Sequence, residues 1–148
     1  MGPITTKLHN IFLFLKLEVN RKKELDYKSI YNKKSMQLKN KNIGQSLNIL
    51  DREIYTKVSG VTFEGRQGYI KNCYPGQQLK LIRDLNNIYD KNAIAIYSDK
   101  NQLGFVKKEL ALKLAPIIDN GIEVEGIVEQ VTGGGGYIYG LNIKIVKK

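Results

Sequence analysis

The stretch LNNIYDKNAIAIYSDKNQLGFV, residues 85–106, begins as a polar loop and continues as two runs in which apolar and polar residues alternate. Alternation with a period of two is typical of β-strands, so residues 93–98 and 102–106 are predicted as strands. Residues 99–101, Asp-Lys-Asn, have the composition of a tight turn. This stretch therefore predicts a hairpin that is entered from a polar loop.

The same alternation appears in four further segments, which we predict as strands: residues 54–63, 78–84, 122–131 and 137–146. Residues 65–73 are expected to form a short helical turn. Residues 107–121 carry apolar side chains at helical spacing and predict a helix that Pro116 kinks or divides. Six short strands with a helix before the last hairpin predict a mainly β, α+β fold with one or two helices: an OB-like, six-stranded, partly closed barrel.

Residues 1–50 form a basic N-terminal extension that we expect to be partly ordered or mobile, ahead of a barrel domain at residues 51–148. The apolar segment IFLFLKLEV, residues 11–19, fits a buried strand or half a helix. Residues 21–42 show weak helical spacing. The apolar core of this extension is too short for a signal peptide or a membrane span.

The chain carries 24 Lys and Arg against 14 Asp and Glu, a formal net charge of +10 over 148 residues. Residues 1–52 hold 11 of the basic and 4 of the acidic side chains, so the excess is concentrated in the first third. Such asymmetry points to a phosphate-rich partner, although a compositional bias towards Lys and Asn would produce it too. On charge alone this partner is nucleic acid or an anionic membrane, and of the two we expect nucleic acid and no membrane.

Two residues decide against the common catalytic arrangements. Cys73 is the single cysteine and His9 the single histidine, so neither a Ser-His-Asp triad nor a four-ligand zinc site has a convincing set of residues. A chain without disulfides suits a reducing compartment, and we expect a cytoplasmic location, including association with the nucleoid. We expect no enzyme activity, no metal and no cofactor.

Two weaker chemical signals remain. Gly133–Gly136 is followed by Tyr-Ile-Tyr and a strand rather than by a helix, so it is interpreted as a hairpin tip and not as a phosphate loop. The carboxylates of Glu64, Asp84 and Asp90 leave a small metal-dependent nuclease open as an alternative.

Aromatic residues are interleaved with basic ones throughout the barrel segment. This mixture is typical of proteins that bind single-stranded nucleic acid, because rings stack on bases while cations pair with phosphates. About half of such rings are expected to be core or rim residues instead. The groups are Phe63 with Arg66, Tyr69 with Lys71, Tyr89 with Lys91, Phe105 with Lys107 and Lys108, and Tyr137 with Tyr139.

Lys107 and Lys108 open the predicted helix, where the helix dipole favours an anion and disfavours a cation. A phosphate bound there would contact both ammonium groups and the free backbone N–H groups. Glu109 could serve as the local anion instead.

Three motifs carry a family resemblance: GVTFEGRQ, LNNIYDKNAIAIY and LGFVKKELALKLAPIID. Together they resemble the HIRAN domain of the free-standing bacterial type, a module also found at the N-terminus of certain helicases, over residues 54–146. The resemblance implies an OB-like barrel that binds single-stranded DNA at a free 3′ end. It places Tyr89 and Asp90 at the terminal nucleotide, Lys108 at a phosphate, and Phe63 against a base.

Two positions depart from the family pattern. Thr62 stands where eukaryotic members have arginine, and Phe105 stands where they have histidine, so two polar contacts are missing. Affinity or preference for the 3′ end is expected to be weaker as a result, with Arg66 as a candidate compensating residue.

Asp90 has two interpretations. A carboxylate accepts a hydrogen bond from a 3′ hydroxyl but repels a 3′ phosphate or a continuing chain, so it would select strand ends. Asp also commonly bonds its own backbone two residues on, as an ordinary turn residue.

The sequence thus predicts a DNA-binding module that recognises single-stranded 3′-hydroxyl ends in DNA repair or processing. The alternative to it, besides the nuclease, is a protein-interaction barrel that recruits a nuclease or helicase. The candidate nucleic-acid-binding residues are Phe63, Arg66, Tyr89, Asp90, Phe105, Lys107 and Lys108.

Overall fold

The structure, a computed structural model, describes residues 3–148, with side chains for residues 7–41, 44 and 48–148. The chain divides into two compact units, the first ending at Asn42 and the second running from Ile43 to Lys148.

The first part of the chain is one long helix, α1, Pro3–Leu47. Proline suits the first position of a helix, and neither Gly nor Pro interrupts the sequence until Gly44. Residues 11–19 are therefore helical, and the strand interpretation of this segment was wrong. Mobility of this extension stays a prediction. No helix among the described residues combines the length and the apolar character needed to cross a bilayer.

The second unit contains a six-stranded antiparallel sheet and two helices. The strands follow the order β1-β6-β5-β2-β3-β4 across the sheet. This confirms the predicted α+β class and strand number. The elements are β1 Ile54–Lys57, α2 Gln67–Ile70, β2 Gln78–Arg83, β3 Ile94–Ser98, β4 Asn101–Phe105, α3 Lys108–Asp119, β5 Val124–Gly134 and β6 Tyr137–Lys147.

The two outer strands of the sheet approach each other, which partly closes the barrel. Beyond β1, the Val58 N–H donates to the Leu141 carbonyl of β6 over 2.9 Å, so the chain still follows that strand. Ser59 then turns to β4: its N–H donates to the Phe105 carbonyl over 2.8 Å, and the Phe105 N–H donates back over 2.9 Å. The predicted OB-like, partly closed barrel is confirmed.

The strand predicted at residues 54–63 is shorter than expected. It ends at Lys57, with an isolated bridge at Ser59, because Gly60 adopts a φ of 71° and starts a turn. Alternation of residue types continues past this point, but the backbone no longer extends.

Gly104 allows the close approach between Ser59 and β4. Its φ is 152°, and a Cβ atom there would lie 2.3 Å from the Ser59 carbonyl oxygen and 2.6 Å from Cγ1 of Val58. Any side chain would therefore push the two segments apart. The barrel closes at this point because residue 104 has none.

Helix α3 packs one apolar face on the barrel through Ala111, Leu114 and Ile117, which are buried. Pro116 lies inside this helix and does not divide it, so of the two predicted effects division was wrong, while a kink stays a prediction. The carbonyl that Pro116 leaves without a helical donor belongs to Leu112, whose exposed side chain marks the solvent side of the helix. Water can satisfy that carbonyl, and the helix continues to Asp119.

Replacing Gly104 with Ala is expected to lower the free energy of unfolding by about 1–3 kcal/mol, the usual cost of forcing extra atoms into a packed contact. Urea denaturation followed by circular dichroism would measure it. Gly68→Ala is the matched control, because Gly68 lies in α2 with open space around its added methyl group. Equal midpoints for the two variants would contradict the proposed need for glycine at position 104.

Candidate nucleic-acid interface

A cavity of about 680 Å³ opens beside the point where the barrel closes. Three chain segments form its walls: the turn after β1, the polar loop between β2 and β3 (residues 84–93), and the end of β4 with the start of α3. We call this cavity the cleft. It is lined by Ser59, Gly60, Phe63, Glu64, Arg66, Asn87, Tyr89, Asp90, Ala93, Phe105, Val106 and Lys108.

The polar loop is organised around the side chain of Asn87. Its Oδ1 accepts hydrogen bonds from the backbone N–H groups of Tyr89 and Asp90, each over 3.0 Å. Its Nδ2 donates to Oδ2 of Asp84 over 3.0 Å. Asn is well suited to this role, since its amide imitates a backbone turn. One side chain thus holds Tyr89 and Asp90 side by side on the wall of the cleft.

Asp90 uses one carboxylate oxygen inside the loop. Its Oδ1 accepts from the Asn92 N–H over 2.9 Å, and its backbone carbonyl accepts from the Ala93 N–H over 3.0 Å. The interpretation of Asp90 as a turn residue is therefore confirmed. It does not exclude the other role, because Asp90 also lines the cleft and its hydrogen bonds to described residues engage only Oδ1.

Arg83, at the end of β2, fastens the polar loop to the barrel. Its Nη1 donates to the Ala93 carbonyl over 2.7 Å and its Nη2 to the Lys91 carbonyl over 3.0 Å. Its Nε donates to Oδ1 of Asp119, at the end of α3, over 2.9 Å. A single guanidinium therefore connects the loop to β2 and to α3.

Arg66 forms the opposite side of the cleft and is only 5% exposed. Its Nη1 donates to the Gly60 carbonyl over 2.8 Å, and its Nη2 is paired with the carboxylate of Glu64. The centre of the guanidinium lies 5.2 Å from the centroid of the Phe105 ring, within cation–π range. Arg66 thus holds the turn after β1 against β4.

The aromatic rings at the cleft differ in burial. Tyr89 is 86% exposed and Phe63 is 65% exposed, so both present surface to a ligand at the rim. Phe105 is partly buried beneath the Arg66 guanidinium. Tyr89 and Phe63 are therefore exposed enough to stack on a base, whereas Phe105 packs against Arg66.

The two lysines at the start of α3 line different cavities. Lys108 lines the cleft, whereas Lys107 lines a neighbouring cavity of about 700 Å³ with Lys57 and Glu129. Lys107 is also the N-cap residue, and its side chain makes no capping hydrogen bond. A single phosphate shared by both ammonium groups is therefore not what this geometry favours. The part of Lys107 in nucleic-acid binding stays a prediction.

Six of the seven residues proposed from the sequence line the cleft: Phe63, Arg66, Tyr89, Asp90, Phe105 and Lys108. Sequence reasoning missed Asn87 as an organiser, although its spacing to the Tyr-Asp pair is the signature of an Asx turn. It also missed Glu64 as a partner of Arg66, and Arg83 as the anchor of the loop. Those two pairings depend on tertiary contacts and leave no local pattern.

Cys73 and the carboxylates are the candidate catalytic or metal-binding groups of the described residues. Burial raises the pKa of the Cys73 thiol, whereas a nucleophilic cysteine needs a lowered pKa. Of the three carboxylates considered for a metal, Glu64 and Asp90 line the cleft, while Asp84 is bonded to Asn87. No group of three or more His, Cys, Asp or Glu in the described part of the chain is arranged to hold a metal ion.

Substitution Arg83→Met keeps the side-chain stem and removes four hydrogen bonds, two to the loop and two to Asp119 of α3. We expect the free energy of unfolding to fall by about 1.5–3 kcal/mol, as for hydrogen bonds to a charged group. Hydrogen exchange should accelerate in residues 84–93. Arg52→Met is the control, because Arg52 is exposed. Unchanged protection of residues 84–93 in Arg83→Met would show that the loop does not depend on Arg83.

Comparison with known proteins gives one family and several relatives. The family model for the HIRAN domain matches residues 52–146. Human helicase-like transcription factor is 41% identical over 81 residues, which is 49% of this chain and 8% of that protein. The rabbit protein of the same name is 48% identical over 54 residues, which is 35% of this chain and 5% of that protein. The chain therefore matches less than a tenth of the length of these curated relatives.

Solved structures give a similar result. A protein from Lactobacillus plantarum is similar with a TM-score of 0.50 and 19% identity, covering 64% of this chain and 99% of that one. The HIRAN domain of human HLTF, seen in a crystal structure, has a TM-score of 0.49 and 33% identity, covering 65% and 77%. An NMR structure of the HLTF HIRAN domain in its DNA-bound conformation is also similar, with a TM-score of 0.44 and 30% identity, covering 64% of this chain and 73% of that one.

Proposed function

We propose that this chain, which belongs to the HIRAN domain family, binds single-stranded DNA at a free 3′-hydroxyl end. The observation that carries the proposal is that Phe63, Tyr89, Asp90 and Lys108 line one open cleft. They come from three separate chain segments. The family resemblance implied this grouping, and DNA is the ligand in one solved HIRAN structure.

The size and lining of the cleft support the proposal of a terminal nucleotide as its ligand. Its volume of about 680 Å³ is within the range of pockets that bind small ligands. Exposed rings at the rim offer stacking surfaces, and base–aromatic stacking contributes about 1–3 kcal/mol per base. Stacking tolerates any base, so we propose recognition without sequence preference.

Lys108 is proposed as the phosphate contact. It is the first residue of α3, where backbone N–H groups lack helical acceptors and the helix dipole favours an anion. Glu109 in the same turn supplies part of that negative charge. The phosphate between the last two nucleotides is the group that Lys108 would hold.

Asp90 is proposed as the residue that selects ends. Its Oδ1 is held by the Asn92 N–H, so the carboxylate keeps one orientation while Oδ2 can accept a hydrogen bond from a 3′ hydroxyl. A 3′ phosphate or a continuing strand would bring a like charge to the same place, which costs free energy. The hydrogen bond that Asp90 makes as a turn residue therefore supports its proposed selection of strand ends, because this bond holds the carboxylate in position.

Helix α1 is proposed to contribute attraction without sequence or end preference. It carries ten basic and three acidic side chains, from Lys7 to Lys41. Such a helix would pair with phosphates along a strand and would make binding sensitive to salt. We also propose that the chain serves DNA repair or processing, in association with a helicase or nuclease.

Two alternatives predict different results. A protein-interaction barrel would show no binding of any oligonucleotide at low salt while it captured a purified nuclease or helicase. A metal-dependent nuclease would cleave DNA on incubation with magnesium, whereas we expect the substrate to remain intact. The exposed rings and Lys108 within one cleft favour DNA binding over both.

The end preference can be tested with labelled single strands that carry either a 3′ hydroxyl or a 3′ phosphate. We expect about tenfold tighter binding of the hydroxyl, or ~1.4 kcal/mol, from like-charge repulsion at Asp90. Asp90→Asn keeps an oxygen for the Asn92 N–H and removes the charge, so it should reduce the discrimination mainly by improving binding of the phosphate. Fluorescence anisotropy at two salt concentrations measures both. Equal affinity of the wild-type protein for the two ends would remove the role of Asp90.

The two lysines at the start of α3 form a matched pair for testing the phosphate contact. Lys108→Gln should lower affinity and reduce the slope of log K against log salt concentration by about 0.7, the contribution of one phosphate contact in a single strand. Lys107→Gln removes the same charge one residue away and should change the slope less, because Lys107 lies outside the cleft. Identical slopes for the two variants would contradict a specific contact at Lys108.

A further inference from the structure

We infer that Glu64 is an internal anion that a DNA phosphate displaces from Arg66, so that Arg66 becomes a second phosphate contact of the cleft. This inference rests on the proposed function and distinguishes two states of the protein, free and bound to DNA. In the free protein the carboxylate of Glu64 occupies the place beside Nη2 of Arg66. In the bound protein a phosphate would occupy that place, and Glu64 would move into solvent.

The burial of Arg66 requires an anion in this position. The residue is 5% exposed, and a buried charge without a partner is strongly unfavourable. Among the described residues Glu64 is the carboxylate within salt-bridge distance of Arg66. An anion in contact with the guanidinium therefore stabilises it, and a phosphate can supply that anion in place of Glu64.

The donors of Arg66 are only partly used. Nη1 is engaged by the Gly60 carbonyl, and one face of the guanidinium lies against the Phe105 ring. Nη2 contacts Glu64, while Nε is buried and has no hydrogen-bond partner among the described residues. Nε and Nη2 form the edge of a guanidinium that binds two oxygens at once. Glu64 therefore satisfies half of an edge that is suited to a phosphate.

Glu64 is held weakly. Its side chain is 73% exposed, against 6% for Arg66, so solvent competes for its carboxylate. Its backbone adopts a φ of 55°, a conformation that non-glycine residues seldom adopt. Its position is therefore determined by the turn and by this one ion pair. An exposed carboxylate with a single charged partner can exchange with another anion at small cost.

The position of this ion pair makes the exchange relevant to DNA. Glu64, Arg66 and Lys108 all line the cleft, so a strand held at Lys108 would bring a neighbouring phosphate towards Glu64. A phosphate that contacted both Nε and Nη2 would satisfy the unpartnered donor. With Glu64 in place, the cleft repels phosphates that are not held by the other contacts. Only a strand whose phosphate is already held near Arg66 by the other contacts would then displace Glu64.

The first test compares Glu64→Gln with Glu123→Gln. Both variants remove one negative charge from a carboxylate of nearly equal exposure, 73% for Glu64 and 74% for Glu123, and Glu123 lies outside the cleft. Glu64→Gln should bind a 3′-hydroxyl single strand about 3- to 5-fold more tightly than the wild-type protein, the range that an exposed ion pair can contribute. Glu123→Gln should change affinity less. If both variants gain the same affinity, the gain is explained by the change in net charge alone, and the inference is overturned.

A second variant separates the loss of the carboxylate from any effect of the glutamine side chain on the turn. Glu64→Gly also removes the carboxylate, and glycine accepts a φ of 55° without strain. It should show the same gain in affinity as Glu64→Gln. A folded Glu64→Gly protein whose affinity equals that of the wild type would also overturn the inference.

The third test uses inorganic phosphate and does not depend on DNA binding. The Nε–H signal of Arg66, assigned with Arg66→Lys, would be followed by nitrogen-15 NMR during a phosphate titration. We expect it to shift at several-fold lower phosphate concentration in Glu64→Gln than in the wild-type protein. If the chemical shift of the Arg66 Nε–H does not change with phosphate in either protein, the inference is overturned.

The two proposals can fail separately. If phosphate shifts the Arg66 signal as expected but no oligonucleotide binds, the anion site stands and the proposed DNA function falls. If the wild-type protein prefers 3′-hydroxyl ends but Glu64→Gln behaves like Glu123→Gln, the DNA function stands and the exchange falls.

Discussion

The pair of hydrogen bonds between Ser59 and Phe105 is the contact on which the cleft depends. It joins the two outer strands of the sheet, and it forms only because Gly104 has no side chain to keep them apart. Immediately after it, the chain turns at Gly60 into the segment that carries Phe63 and Arg66. On the other strand, Phe105 leads directly into α3 and Lys108. The hydrogen bonds that close the barrel therefore also bring together two walls of the cleft, the turn after β1 and the start of α3.

The third wall is built differently. The polar loop between β2 and β3 contributes few apolar atoms to the core, so hydrogen bonds hold its shape. Asn87 orders the loop from within, and Arg83 fastens it to the barrel from outside. Both are polar residues that satisfy backbone groups which the sheet leaves unpaired. Tyr89 can therefore be exposed at the rim while its backbone is held firmly, a combination that suits a stacking residue.

The sequence predicted those parts of the molecule that follow a local pattern. Strands at residues 78–84 and 93–98 alternate with a period of two and were found within a residue of their predicted bounds. The strand at residues 54–63 was too long, because the alternation of residue types persists after the backbone has turned at Gly60. The ion pair between Glu64 and Arg66 could not be predicted, since it depends on a left-handed residue and on Phe105 from a distant strand. The alternation of apolar and polar residues reveals neither the left-handed backbone nor the contact with the distant strand.

Two carboxylates in a cleft that we propose binds a polyanion look contradictory until their constraints are compared. Asp90 has one oxygen bound to the backbone of its own loop, so its charge keeps one position whether or not a ligand is present. Glu64 is exposed and paired with a single cation, and in our inference its charge leaves when a phosphate binds. A charge that stays can distinguish a hydroxyl from a phosphate, because both ligands must meet it. A charge that leaves cannot distinguish them, but it lowers the affinity for every anion by the same amount. Selectivity and overall affinity would therefore be set by different residues, and each could change without the other.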